Sequence, residues 1–379
     1  MFVCVYLLLD AVNSMIQDVF RLSGMTLKAA QAAIALVLLY FIFRSVAYFN
    51  RRNWAILILW ESVAGLAYAY SYFVGVSLSR LMGWAGTTLG VCVPIAVFIG
   101  FIENKEIFYN LLKNFSWAIL AVLIIDMLKT TDDLYNMHFS YAVLTVMLIH
   151  FNELVNGNKR LLHLIFVVIE FGMIFMYGSR GALVCFVAFI ALKIFFNVRD
   201  KKISVKYAIL MCVGACGIFA ILAFGNEIYS LLKSMGITSR TLKLFLTGRF
   251  VSHDSGRGDL YTTVRMLIMQ KPISGWGIRG AVSAMNNHPY PHQFFYDCVL
   301  TFGFPIGICM IIAMCLPLFK VFTVKEAVSR DLIQMFFCIG FVALMFSNTF
   351  FTDYYYFMFL GLAASCFDAP KFGLLREKE

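Results

Sequence analysis

The chain has 379 residues, of which 61% are hydrophobic and only 14% charged, and its formal net charge is +10. A soluble domain carries roughly 45–50% apolar and about 25% charged residues, so this composition, with a mean hydropathy of +0.82, excludes an ordinary soluble enzyme. It points to an all-α, polytopic membrane protein. The positive charge does not mark a nucleic-acid binder, because no basic helix or aromatic-basic module stands apart from the apolar runs.

Lipid forces a backbone to satisfy its own hydrogen bonds, so apolar runs of about 18 residues or more read as membrane-spanning helices. Taken in order, the runs are Phe2–Phe20, Leu27–Phe49, Trp54–Val76, Leu81–Phe101, Ile107–Leu128, His138–Phe151, Leu161–Tyr177, Ala182–Asn197, Val205–Phe224, His292–Leu318, Leu332–Phe350 and Tyr355–Phe367. They predict about twelve transmembrane helices in a single membrane domain spanning 1–379. Asp10, Asn13 and Gln17 interrupt the first run, which lacks the basic start and small-residue cleavage site of a removable signal peptide.

Basic residues set the orientation. Arg51 and Arg52, Lys105, Lys159 and Arg160, the Arg199–Lys206 link, Lys320 to Arg330, and Lys371 to Lys378 all fall on one side if both termini are cytoplasmic. The opposite short links carry little positive charge: Lys129 to Asp133, Ser179-Arg180-Gly181 and Thr352-Asp353. This phase makes residues 226–291, between spans nine and ten, a large external (periplasmic) loop with short amphipathic helices. Its own cations do not oppose that side, since long loops translocate largely regardless of charge. Cytoplasmic Lys and Arg are expected to meet anionic membrane lipids.

The ten cysteines sit in or at the edges of apolar spans, and no C-x-x-C occurs, so neither a disulfide framework nor a structural metal is expected. Carriers built from two halves usually show internal repeats and a connection between spans six and seven. Here that link is short, and the elaboration lies asymmetrically between spans nine and ten. Glu61, Asp126, Glu170 and Asp297 lie within spans, where ionisable groups either pair inside the bundle or form a proton path.

Three external segments carry chemistry. Gly178-Ser179-Arg180-Gly181-Ala182-Leu183 is a tight reversal whose arginine either snorkels to the interface or presents a planar fork to phosphate oxygens. In the segment from Ser255 to Gly277, Leu260, Val264, Leu267 and Ile268 recur at helical spacing, and Pro272 and Gly275 end the pattern. This predicts a short amphipathic surface helix with Arg257 at its N-terminal end, where backbone amides attract anions, and with Arg265 further along. The third segment begins at Pro291-His292-Gln293, where the loop meets span ten, and an imidazole there can take a proton near neutral pH. His288 and His292 have the spacing of a helical metal pair, but Pro289 and Pro291 oppose a helix, and no metal site is expected.

Together these segments resemble the O-antigen ligase and polymerase superfamily. Ser-Arg-Gly-Ala-Leu follows an apolar span. Gly-Arg-x-x-Leu-Tyr leads to Pro-Ile-Ser-Gly-Trp-Gly, and Pro-His-Gln precedes a late span. The likeness runs from about Gly178 to Phe319; the first half is similar in hydropathy only. Two positions depart from the usual pattern: Gln293 stands where Asn or Ser is common, and Tyr261 where Trp is frequent.

The resemblance implies glycosyl transfer at the outer face of the bacterial inner membrane, from an undecaprenyl-pyrophosphate-linked glycan donor. Polymerase members extend another lipid-linked repeat unit, with a chain-length regulator as a further partner, while ligase members transfer to lipid A core. It implies His292 as catalytic base, Arg180, Arg257 and Arg265 as pyrophosphate ligands, and no cofactor. The first expectation is a repeat-unit polymerase of the O-antigen or capsular type. The alternatives are the ligase and an exporter or flippase of lipid-linked sugars, which needs the basic cavity but no base.

Overall fold

The computed structural model describes residues 1–18, 24–129, 136–157, 160–177, 179–199, 224–227, 229–230, 233–234, 240–248 and 257–366. Its regular elements among these residues are helical: α1 (Phe2–Asp18), α2 (Gly24–Val46), α3 (Arg51–Phe73), α4 (Leu78–Thr87), α5 (Val93–Gly100), α6 (Lys105–Lys129), α7 (Met137–Asn156), α8 (Arg160–Tyr177) and α9 (Arg180–Arg199). After these come α10 (Arg240–Leu246), α11 (Arg257–Gln270), α12 (Phe294–Cys315), α13 (Leu318–Thr323), α14 (Ala327–Phe336) and α15 (Tyr354–Ser365). Widened π turns at Thr88–Cys92 and Phe337–Val342 join α4 to α5 and extend α14.

The all-helical, polytopic expectation is borne out. Seven helices among the described residues are long and apolar enough to cross a membrane: Met25–Val46, Arg51–Phe73, Leu78–Gly100, Lys105–Met127, Met137–Asn156, Arg160–Tyr177 and Phe294–Thr323. The predicted ninth span lies almost wholly outside the described residues. The eleventh and twelfth apolar runs form shorter elements. Helix breaks around the left-handed Asn348 (φ 63°), and α15 has only 12 residues, about 18 Å at 1.5 Å per residue. Most of α15 is buried by its neighbours, so its hydropathy reflects protein packing rather than a lipid-facing span.

Burial ranks the helices from centre to rim. The span in α7 is 83% buried, against 11% for α3 and none for α2. Backbones meet at glycine: a Cβ on Gly361 of α15 would strike the Ala96 carbonyl of α5, and one on Gly340 would strike the backbone of Tyr355 and Tyr356.

Chain reversals gather at two ends. One holds Asn50, Phe101 and Glu103, with Asn156, Lys193 and Asp331 nearby across the bundle. The other holds the α3–α4 link, the start of α7, the α8–α9 turn, residues 271–293 and the turn before α15. At this second end α12 is broken: Gly303 has φ 74° and ψ 176°, two residues before Pro305. The break frees backbone groups that residues 272–277 take up. Trp276 and Gly277 donate amides to the Leu300 and Thr301 carbonyls at 2.8 and 2.9 Å, and Phe304 donates to the Pro272 carbonyl at 2.7 Å. Irregular backbone at this depth is tolerable because protein covers it.

Candidate active site

The Pro-Ile-Ser-Gly-Trp-Gly segment is a wedge between α12 and the end of α3. Gly275 and Gly277 have left-handed φ of 63° and 76°. A Cβ on Gly275 would overlap the Thr301 carbonyl, and one on Gly277 would press on Ser71 and Val76. The Ser71 hydroxyl accepts from the Ile278 amide at 2.9 Å, and Tyr70 donates to the Ser274 carbonyl. The Trp276 indole donates to the Leu267 carbonyl at 2.8 Å, tying the wedge to α11. Leu260, Val264, Leu267 and Ile268 of α11 are buried with Met285, Val299 and Leu300. That face fixes α11 against α12, so Arg257 on its first turn has a set position.

Arg180 opens α9 directly after Ser179, whose hydroxyl accepts from the Ala182 amide at 3.4 Å. The next residue, Gly181, lies so close to the Tyr141 hydroxyl that a Cβ would overlap it. Ser347 donates to that same hydroxyl at 2.7 Å, so α7, α9 and the turn before α15 meet at Tyr141. The Arg257 guanidinium lies close enough to act electrostatically on both Tyr141 and His292. Tyr141 thus joins the neighbourhoods of Arg180, Arg257 and His292, three residues far apart in sequence. Arg265 is not part of that junction. It is exposed, and it donates to the Tyr261 carbonyl (3.3 Å) and the Thr262 hydroxyl (3.4 Å) on its own helix.

His292 precedes the helix rather than lying in it. Its φ is 58°, and the following Gln293 caps α12 by accepting from the Tyr296 amide at 2.7 Å. The amide that departs from the usual Asn or Ser therefore does the capping those residues commonly do. The imidazole is half-buried, its ring 4.4 Å from that of Tyr290 and 6.2 Å from that of His288. Its Nδ1 is buried without a hydrogen-bond partner among the described residues. Burial, then the charge of Arg257, then His288 push its pKa down to about 4. At neutral pH the ring is uncharged and can accept a proton.

Further groups at this end escaped the sequence reading. Arg279, left-handed at φ 59°, donates to the Arg80 carbonyl at 3.2 Å, and its guanidinium lies 5.2 Å from the Trp84 ring centre. Arg80 donates to Ser283 at 2.9 Å, and Trp84 lies 6.2 Å from Tyr290. A signal existed: Arg80 is the one cation in the Val74–Arg80 link, on a side whose links are otherwise poor in positive charge. Asp353 caps α15, accepting from the Tyr356 amide at 2.9 Å and from Asn348 at 2.8 Å. Burial raises its carboxyl to about 6, against the opposing pull of those hydrogen bonds.

Residues 165–311 match the family described as O-antigen ligase. That stretch, under half of the chain, is similar to the O-antigen ligase and polymerase superfamily that the three external segments resemble, which supports an activity of that general type. No curated protein and no solved structure matches the chain. Arg180, Arg257, Arg265, Arg279 and His292 lie inside the O-antigen ligase match, whereas Arg80, Trp84, Tyr141, Ser347 and Asp353 lie outside it. The half of the bundle beyond the family segment therefore helps to build this end of the molecule.

Proposed function

We propose that the protein polymerises undecaprenyl-pyrophosphate-linked oligosaccharide repeat units into O-antigen or capsular polysaccharide, at the outer face of the inner membrane. The observation that carries this reading is the junction at Tyr141. There Arg257, which has no ion-pair partner among the described residues, acts on an uncharged His292 with a buried, unpartnered Nδ1. A cation with no ion-pair partner suits a pyrophosphate, and a neutral imidazole suits a hydroxyl that must lose a proton.

In this mechanism Arg180 and Arg257 hold the pyrophosphate of the donor, while Arg265, outside their junction, helps only by attracting the anion from a distance. The acceptor sugar hydroxyl gives its proton to His292 while its oxygen forms a bond to the anomeric carbon of the donor. The anomeric C–O bond to phosphate breaks, and its electron pair leaves with undecaprenyl pyrophosphate. The guanidinium groups offset the charge that develops on the leaving group, so no metal is needed. Bound pyrophosphate also offsets the field of Arg257 and makes His292 more basic when the donor is in place. Both termini are cytoplasmic in this reading, and residues 226–291 are external.

The ligase reading, in which the glycan passes to lipid A core, draws support from the description of the matched family. Reconstitution in proteoliposomes with a lipid-linked repeat unit alone separates the two. Chain extension without a second acceptor is the expected result. Transfer that begins only when lipid A core is added would assign the ligase instead.

A further inference from the structure

A groove of about 650 Å³ opens at the end of the bundle opposite Arg180 and His292, between α3, the end of α5 and the end of α15. Its rim and its depth differ in chemistry. The rim carries Arg52, Lys105, Glu103 and the amide side chains of Asn50 and Asn53, while Ile56, Trp60 and Leu360 line it deeper in. Trp60 lies more than two turns into α3, roughly 12 Å along the helix from Arg52. A polar mouth above an apolar slot is the shape of a lipid, head at the surface and chain between helices.

The walls are built rather than loose. Phe49 packs edge-on against Trp54, Phe98 and Phe101 with ring centres 5.8, 5.4 and 5.6 Å apart. Asn50 caps α3 by accepting from the Asn53 amide at 2.9 Å. Lys105 donates to the Ile102 carbonyl, which holds its ammonium at the rim. The close approach of Gly361 to the Ala96 carbonyl forms the floor. By contrast α3 presents Ile58 and Leu59 outward, 60% and 62% exposed, so the slot is flanked by a lipid-facing helix.

From these features we infer that the groove holds one glycerophospholipid with a phosphoethanolamine head. Two cations, Arg52 and Lys105, suit a single phosphate diester, and basic pockets between transmembrane helices are a known class of lipid-head site. One carboxylate, Glu103, disfavours a second phosphate and suits a primary ammonium. The occupant is thereby distinguished from a purely anionic lipid and from a free phosphate. The site does not depend on the glycosyl-transfer reading, because it uses none of the same residues and lies at the other end.

Native mass spectrometry of the purified full-length protein tests it, with phosphatidylethanolamine, phosphatidylglycerol and inorganic phosphate added separately and in competition. The wild type is expected to retain one phosphatidylethanolamine in preference to phosphatidylglycerol, with inorganic phosphate failing to displace it. Arg52→Gln with Lys105→Gln should lower retention by about tenfold or more, which corresponds to about 1.4 kcal/mol. Glu103→Gln should turn the preference toward phosphatidylglycerol. Ala364→Phe, which obstructs the groove on the mouth side of its Gly361 floor and leaves every rim charge in place, should block retention even if the double variant folds poorly. Equal retention of both lipids, retention unaffected by Ala364→Phe, or displacement by inorganic phosphate would each overturn the assignment.

Discussion

The two ends of the helix bundle treat charge in opposite ways. Near Asn156, Lys193 is paired with Asp331 and donates to Asn152. Lys113 reaches Glu153 at 3.5 Å, and Tyr109 donates to the same carboxylate at 2.8 Å. At the His292 end, no ion pair among the described residues involves Arg80, Arg257, Arg265 or Arg279. Charges of the first kind hold helices together, whereas unneutralised cations raise the local affinity for an anion. The difference separates lysines tied into the bundle from arginines that have no ion-pair partner among the described residues.

The largest expected effect comes from removing the two cations proposed to hold the pyrophosphate. Arg180→Ala with Arg257→Ala should abolish polymer formation in proteoliposomes, since one lost electrostatic donor typically costs about 10²–10³ in rate. Lysine at either position should recover only part of it, because an ammonium lacks the two-donor fork. Wild-type activity in a well-expressed double variant would remove both residues from the mechanism. Next is His292→Ala, with an expected loss of about 10²–10⁴ in single-turnover rate and donor binding largely retained. His292→Gln should behave the same way, since an amide cannot take the proton, and normal chemistry in both would leave His292 a structural residue.

The pH dependence sharpens the comparison. His292 works as a base only while unprotonated, and its pKa is pushed down to about 4. The acid limb of kcat/KM, which reports the free enzyme, should therefore fall only below about pH 4. The limb of kcat at saturating donor should sit at higher pH, because bound pyrophosphate offsets Arg257. Coincident limbs would show that the donor's charge does not reach the imidazole.

Smaller effects test the scaffold. Gly181→Ala forces a Cβ onto the Tyr141 hydroxyl, an overpacking that costs about 1–3 kcal/mol. It should displace Arg180 enough to lower kcat several-fold, more than it lowers thermal stability. Lys193→Met should do the reverse. It strips a partner from the half-buried Asp331 and should destabilise the protein by about 3 kcal/mol, while activity per folded molecule stays near that of the wild type. A large loss of turnover in Lys193→Met at normal stability would dissolve the distinction between the two ends.

Much of this was legible from residue spacing. Apolar periodicity separated helices from links, and the four residues with helical spacing after Arg257 are those α11 buries. Hydropathy was less informative for α15, because a helix buried by protein is as apolar as one facing lipid. The partnership of Arg279 with Arg80 and Trp84 joins residues about 200 positions apart, and no local pattern encodes it. The broken helix at Gly303 was equally hidden. Gly303-Phe304-Pro305 reads as a kink within an apolar run, whereas the amides that complete it come from the preceding loop.

That break has a consequence for how the protein is made. The Leu300 and Thr301 carbonyls acquire partners only when Trp276 and Gly277 reach them, and in hydrocarbon a bare carbonyl costs several kcal/mol. α12 is therefore incomplete as an isolated inserted segment and becomes stable when the residues synthesised before it fold back beside it.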